Sequence, residues 1–199
     1  MIRAEPRWHE PSPRPDGFPA TLVTGDYTGP WPSLLSAYKE RGQWSLAPVL
    51  AQRLWPALVA LVLASGTDGP VVLVPMPSRR AAVRNRGLDT TARLGRELGR
   101  VAGRQGWRLR VRPALGFTRR VADSAGLGIG ERVENLAGAL RLPPGRAARW
   151  RERGCQVVLC DDLVTTGASL TEASRAVEDA GVPVVGALTL VATVRRRRR

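Results

Sequence analysis

Two hydrophobic periodicities alternate along this chain. Residues 71–74 read VVLV and residues 157–160 read VVLC. Short unbroken apolar runs of this kind suit strands buried on both faces of a parallel sheet. A third such run spans residues 184–191, and residues 109–115 alternate basic with apolar, which predicts a fourth strand. Between these runs the spacing turns helical. Leu88, Ala92, Leu94, Leu98 and Val101 mark a helix over 88–101, and Leu170, Ala173, Ala176, Val177 and Ala180 mark one over 170–180. Helices are also predicted over 34–41, 130–139 and 46–64, the last with Pro56 as a site for a kink. Residues 117–130 read as a glycine-containing basic loop and 143–154 as a polar connection. Residues 1–32 hold seven of the sixteen prolines and little periodicity, which predicts an extended, partly ordered arm. Strands that alternate with helices imply right-handed βαβ units, a parallel-sheet core and helices on both faces. A ligand then belongs outside the C-terminal ends of the strands.

At 199 residues and 43% apolar content the chain suits one core, here 33–194, with the arm 1–32 before it and a basic tail, 195–199, after it. The longest apolar run, residues 54–64, is shorter than the ~20 residues of a membrane span and contains Pro56. The first nineteen residues are polar and proline-rich rather than signal-like, so a cytoplasmic setting is expected. Cys155 and Cys160 are too few for a four-ligand zinc site, and His9 is far off in sequence; free thiols in a reducing compartment are the simpler expectation. The formal charge is +14, and about +9 without the five arginines of the tail. Anionic partners follow, phosphorylated small molecules or nucleic acid. Lys39 is the only lysine among 31 basic residues, which singles it out as a place where a compact ammonium is needed, or as an ordinary solvated helix residue.

The densest chemistry lies in residues 157–169, VVLCDDLVTTGAS. The buried run meets two adjacent acids, Asp161 and Asp162, at the expected strand end. Thr165, Thr166, Gly167, Ala168 and Ser169 then lead into a helix N-terminus. Hydroxyls, free backbone N–H groups and a positive dipole end are what a phosphate monoester requires, and Gly167 allows close approach of the backbone. Two neighbouring carboxylates are tolerable where they meet cations or sugar hydroxyls. The bland alternative is a strand–helix turn with an acid as its cap. A second cluster follows the first core strand: Pro75, Met76, Pro77, Ser78, Arg79 and Arg80, then Arg84, Arg86, Gly87 and Leu88. A rigid turn followed by forked guanidiniums suits pyrophosphate, or is a solvated basic turn. A third cluster, 118–127 with Arg119 and Arg120, then Arg132 and Asn135, reads as a mobile basic loop closing over substrate, or as a plain connector.

Residues 157–169 resemble the signature of the type I phosphoribosyltransferases at every position. Taken in order with residues 38–42, 74–77, 86–89, Gly126, Leu127, Arg132 and 135–139, they are similar to the ComF competence family of that superfamily. The resemblance covers about residues 34–193. It implies a type I phosphoribosyltransferase-like α/β fold with a small hood. It implies that Asp161 and Asp162 hold the ribose hydroxyls of phosphoribosyl pyrophosphate (PRPP) as the catalytic acids, and that Thr165 to Ser169 wrap its 5-phosphate. Lys39 and the 75–80 turn would face the pyrophosphate, and Mg²⁺ would arrive on PRPP with no protein ligand assigned. Two departures are plain. Members often carry a four-cysteine zinc module that this chain lacks before Lys39, and Asp89 stands where the family commonly has Asn.

The function this implies is Mg²⁺-dependent transfer of a phosphoribosyl group to an unknown acceptor with release of pyrophosphate, a pentosyl transfer. The alternative is a non-catalytic protein of the DNA-uptake machinery that binds single-stranded nucleic acid through its positive charge and tryptophans. Oligomeric state is open, a homodimer included.

Overall fold

In the computed structural model the described residues are 5–119, 121 and 129–194, without the side chains of Arg80, Ile129, Arg132 and Val133. In chain order they form β1 (Arg7–Trp8), β2 (Thr21–Val23), α1 (Trp31–Lys39), α2 (Ala47–Ser65), β3 (Val71–Pro75), α3 (Arg80–Arg86) and α4 (Thr90–Arg104). There follow β4 (Arg110–Val111), β5 (Gly116–Phe117), α5 (Ile129–Leu136), β6 (Leu140–Arg141), α6 (Pro144–Glu152), β7 (Gln156–Val164), α7 (Ala168–Glu178) and β8 (Val184–Ala192). The fold is α/β. A six-stranded sheet runs β1-β2-β8-β7-β3-β4, parallel except at β1, and a two-stranded antiparallel ribbon, β5-β6, stands apart from it.

The sheet separates two cores because side chains alternate across a strand. Val157 and Leu159 of β7 pack with Leu170, Ala173 and Val177 of α7. Val158 and Cys160 pack on the other face with Leu50, Leu54, Leu58 and Leu61 of α2 and Leu94 and Leu98 of α4. The stretch Trp44–Ser65 is long and apolar enough to cross a membrane by length and composition. In this fold it supplies α2, whose leucines at helical spacing lie in the core. Helix α2 runs through Pro56 without a break.

Several sequence expectations shift. Residues 5–32 are not simply an extended arm. Strand β2 pairs in parallel with β8, β1 covers β2, and Phe18, Leu22 and Val23 are buried. The pairing partner lies more than 160 residues away in the chain, so no local pattern announces it. The strand expected over 109–115 is reduced to β4, at the sheet edge. Arg112 N–H still donates to Leu73 O, and Pro113, which has no N–H, ends the ladder. Residues 143–154 are not a loop: α6 starts with Pro144 in its first turn and buries Ala147 and Trp150, three positions apart. Its many arginines hide that narrow stripe. The helix expected from residue 88 begins at Thr90, capped by Asp89, whose carboxylate accepts from Ala92 N–H at 3.0 Å. Strand β7 does not end at the acids but runs on to Val164.

That last point positions the site. On one side β7 stays paired with β8 as far as Val164↔Ala192. On the other its pairing with β3 stops at Pro75↔Cys160. The chain leaves β3 toward β4 and leaves β7 toward β8, so the strand order reverses between β3 and β7 and a crevice opens outside their C-terminal ends. Asp161 is the first residue of β7 beyond the end of β3.

Gly186 sits in β8 at φ +155°, where a Cβ would lie 2.4 Å from Ala20 O. A Gly186→Ala variant is expected to push β2 off the sheet at a cost of about 1–3 kcal/mol. Thermal unfolding should show a drop of roughly 2–12 °C for a chain of this size.

Candidate functional site

A cavity of about 260 Å³ occupies the crevice. It is lined by Lys39 from the end of α1, by Met76, Pro77, Ser78 and Arg79 after β3, by Asp161 of β7 and by Ser169 of α7. Four stretches up to 130 residues apart in sequence thus meet at one place. Ala82, Arg86 and Thr91 complete this wall, and Phe117 of β5, Leu136 of α5 and Leu140 of β6 close the other. A larger hollow of about 340 Å³ between β6, α6 and α7 contains none of the residues singled out from sequence.

The two acids have different surroundings. Asp162 is buried, and Lys39 reaches it: Nζ donates to Oδ1 at 3.2 Å and lies 2.8 Å from Oδ2, off the hydrogen-bond axis. Burial lowers the Lys39 pKa, but Asp162 and then Asp161 outweigh it, and the ammonium is held above its ordinary value. Asp161 keeps part of its surface open to the cavity. Its Oδ1 accepts from Asp162 N–H at 2.9 Å, and it makes no ion pair among the described residues. Burial first, and the neighbouring Asp162 next, push its carboxyl well above the usual range; Lys39 draws it part of the way back. One acid is therefore neutralised within the fold, and the other stands ready for a cation or hydroxyls. Cys160, beside them, is fully buried and its thiol is pushed up by burial and by both acids, so it is inert.

Residues 165–169 turn into the N-terminus of α7. Gly167 takes φ +80° as the N-cap of α7 and offers no side-chain cap, and the first N–H of α7, that of Ala168, donates to Thr166 Oγ1 at 3.5 Å. Thr165 and Ser169 are exposed, Thr166 is half-buried, and Gly167 and Ala168 are buried. Of these five, Ser169 lines the cavity. A Cβ on Gly167 would lie 2.7 Å from Phe18 Cε2 and 3.0 Å from Pro11 Cγ, so the N-terminal segment backs the loop from behind.

In the second cluster, Pro75 is a strand residue that packs toward Gly95 and does not line the cavity. Met76 N–H donates to Cys160 O at 2.8 Å, which ties the turn to β7. Ser78 Oγ donates to Asp89 at 2.9 Å, so Asp89 holds this turn and caps α4 together. Arg79 lines the cavity, and the Arg80 side chain lies outside the described residues. Of the basic loop, Arg119 donates to Asn135 O and Ala137 O rather than reaching the cavity. Arg120 and residues 122–128 lie outside the described residues.

Sequence reasoning missed two features. The cavity wall of Phe117, Leu136 and Leu140 has no motif, only scattered apolar residues. Strand β6 is also clamped to α7: buried Glu172 accepts from Leu140 N–H at 2.8 Å and takes both Arg175 Nε and Nη2, while Nη2 also donates to Leu140 O. Burial raises the Glu172 pKa, but these donors prevail and hold its carboxyl below the ordinary range.

Among the described residues no group of three or more His, Cys, Asp and Glu side chains is placed to hold a metal ion. Asp161 is a hard oxygen donor without a cationic partner, so it suits a Mg²⁺ ion held chiefly by a ligand's own oxygens. Compared with known proteins, the chain matches no family model and no curated protein.

The raised Asp161 carboxyl makes a prediction with a definite sign. Stability from its protonated form is full below the unfolded-state value near 3.8 and is lost as pH rises through the raised folded value. Asp161→Asn is expected to be more stable than wild type at neutral pH and to flatten that decline. Thermal unfolding of both proteins across the acid-to-neutral range tests it.

Proposed function

We propose that the cavity binds PRPP with Mg²⁺ and that the chain is a phosphoribosyltransferase-like protein of the ComF type, acting on an acceptor that remains to be found. The observation that carries the reading is the convergence of Lys39, the 76–79 turn, Asp161 and Ser169 on one cavity at the reversal of strand order. A ribose 5-phosphate bearing a pyrophosphate has three chemically distinct parts, and the cavity offers a partner for each. The α7 N-terminus with Ser169 suits the 5-phosphate. Asp161 suits the 2- and 3-hydroxyls or the ion beside them, and the Ser78–Arg79 turn suits the pyrophosphate.

In the proposed reaction an acceptor lone pair forms a bond to C1 of the ribose as the C1–O bond breaks and pyrophosphate leaves with that electron pair. Mg²⁺, when bound, would neutralise charge on the departing oxygens. This chain's part is positioning and electrostatics. Asp162 is fixed in place by Lys39. Asp161 places negative charge beside a ring that becomes cationic in the transition state. The Phe117, Leu136 and Leu140 wall makes the other side of the cavity apolar.

The competing reading, a protein that binds single-stranded nucleic acid, draws on a line of exposed arginines: Arg96, Arg100 and Arg104 on α4 and Arg108, Arg110 and Arg112 along the sheet edge. Its stacking platform is thin. Trp31 and Trp150 are buried, Trp44, Trp55 and Trp107 are half-buried, and Trp8 alone of the six is broadly exposed.

PRPP with Mg²⁺ at a hundred times Kd is expected to stabilise wild type by about 2.7 kcal/mol, or roughly 5–10 °C in thermal unfolding. Asp161→Asn with Asp162→Asn should remain folded and lose that shift. A wild-type protein with no shift, and with salt-sensitive retention of a single-stranded oligonucleotide, would turn the assignment to the competing reading.

A further inference from the structure

Helix α2 carries more apolar residues than the core takes up. Leu50, Leu54, Leu58 and Leu61 are buried. On the opposite side Val49, Gln52, Pro56, Val59 and Leu63 recur at intervals of three and four, the spacing of a second stripe. Val49 and Leu63 are 53% and 71% exposed, Gln52 is exposed, and Pro56 and Val59 are half-buried. The stripe runs for about 21 Å along the helix. It holds no charge, and Arg53 at its border is the one charged residue of α2. Elsewhere the fold turns arginines outward, Arg96, Arg100 and Arg104 on α4 and Arg149 and Arg151 on α6. An apolar stripe exposed on so basic a chain marks a contact surface. None of its residues lines the cavity.

The neighbours of the stripe identify what it meets. Helices α2 and α4 lie side by side on one face of the sheet and share a core, so their outer faces form one surface. Trp55 of α2 and Trp107, just past the end of α4, stand edge to face with ring centroids 5.2 Å apart, and both are half-buried. They mark the side of α2 turned toward α4. The surface therefore runs from an apolar stripe, through a pair of amphipathic indoles, to the arginines of α4, whose one acid, Glu97, is paired with Arg100. We propose that this surface seats the protein on an anionic lipid bilayer, with α2 lying in the plane of the membrane. The stripe enters the boundary between headgroups and acyl chains, the tryptophans sit at headgroup depth, and the arginines meet the lipid phosphates. This is contact by one face and not a span, because the leucines on the other side of α2 stay in the core. A second copy of the chain suits the stripe less well, since it brings the same arginines against these. The contact does not depend on what the cavity binds.

The test is flotation of the full chain with lipid vesicles at physiological salt, made either of phosphatidylcholine alone or of phosphatidylcholine with phosphatidylglycerol. Two variants are compared with wild type: Val49→Ser with Leu63→Ser, which changes no charge, and Arg100→Gln with Arg104→Gln. Thermal unfolding confirms that both fold, and analytical ultracentrifugation reads the mass without lipid. Wild type is expected to float with the anionic vesicles and to bind neutral ones at least about tenfold more weakly. Each double variant is expected to lose about tenfold or more on anionic vesicles. Wild type that stays off anionic vesicles overturns the proposal. So does anionic binding that survives the two serines, which is then the work of charge alone, the 195–199 tail included. A concentration-dependent dimer that the serines dissolve, with no vesicle binding, gives the stripe to a second copy and overturns the lipid assignment.

Discussion

Two carboxylates on successive residues of a central strand cannot both be carried into a folded interior without a counter-charge. The Lys39–Asp162 pair resolves that conflict, and the rest of the site follows from it. It draws the C-terminal end of α1 onto β7. It satisfies the inner acid and leaves Asp161, the outer one, turned to the crevice with its charge unanswered. Breaking such a pair by removing one partner is more damaging than never having built it, because a buried charge is left alone. That asymmetry argues that the pair is retained for what it does to Asp161 rather than for any net gain in stability.

The second constraint is geometric. A parallel sheet whose strand order reverses leaves a gap where neighbouring connections part, and here the gap is deepened because β7 outruns β3 while staying paired with β8. The acids therefore belong to a rigid strand instead of a loop, and the turn after β3 is pinned to β7 by Met76 N–H on Cys160 O. Sites built on such elements hold their geometry more closely than sites on loops. The β5–β6 ribbon meets α7 through the Glu172–Arg175 clamp on Leu140, while Leu140 itself is buried in the core that α7 shares with β7.

Much of this was legible in the order of residues. The apolar runs before Pro75 and before Asp161 announce central strands, because burial on both faces demands continuous hydrophobicity. The glycine of the TTGAS stretch announces its turn, and it does adopt a left-handed conformation. What the chain concealed has physical causes too. Strand β2 is three residues long and is stabilised by a distant partner, so proline-rich composition outweighed it locally. Helix α6 exposes most of its arginines and needs only Ala147 and Trp150 for its seat. The different fates of Asp161 and Asp162 depend on which one the α1 lysine can reach, a fact of tertiary geometry that no spacing rule contains. The Phe117, Leu136 and Leu140 wall is made of ordinary apolar residues whose meaning comes only from what they face.

A chain with a single lysine, tethered by that lysine to a buried acid, has an unusual relation to its surroundings. Almost all its positive charge is carried by guanidinium groups, which do not acylate, form imines or accept isopeptide bonds under ordinary conditions. The one side-chain amine lies in the wall of the cavity, protonated and about one-third exposed. To amine-directed chemistry, whether an enzyme's or an experimenter's, nearly the whole side-chain surface is silent. Any side-chain modification that does occur reports from the crevice itself, making Lys39 a built-in single-site probe of whether that crevice is filled.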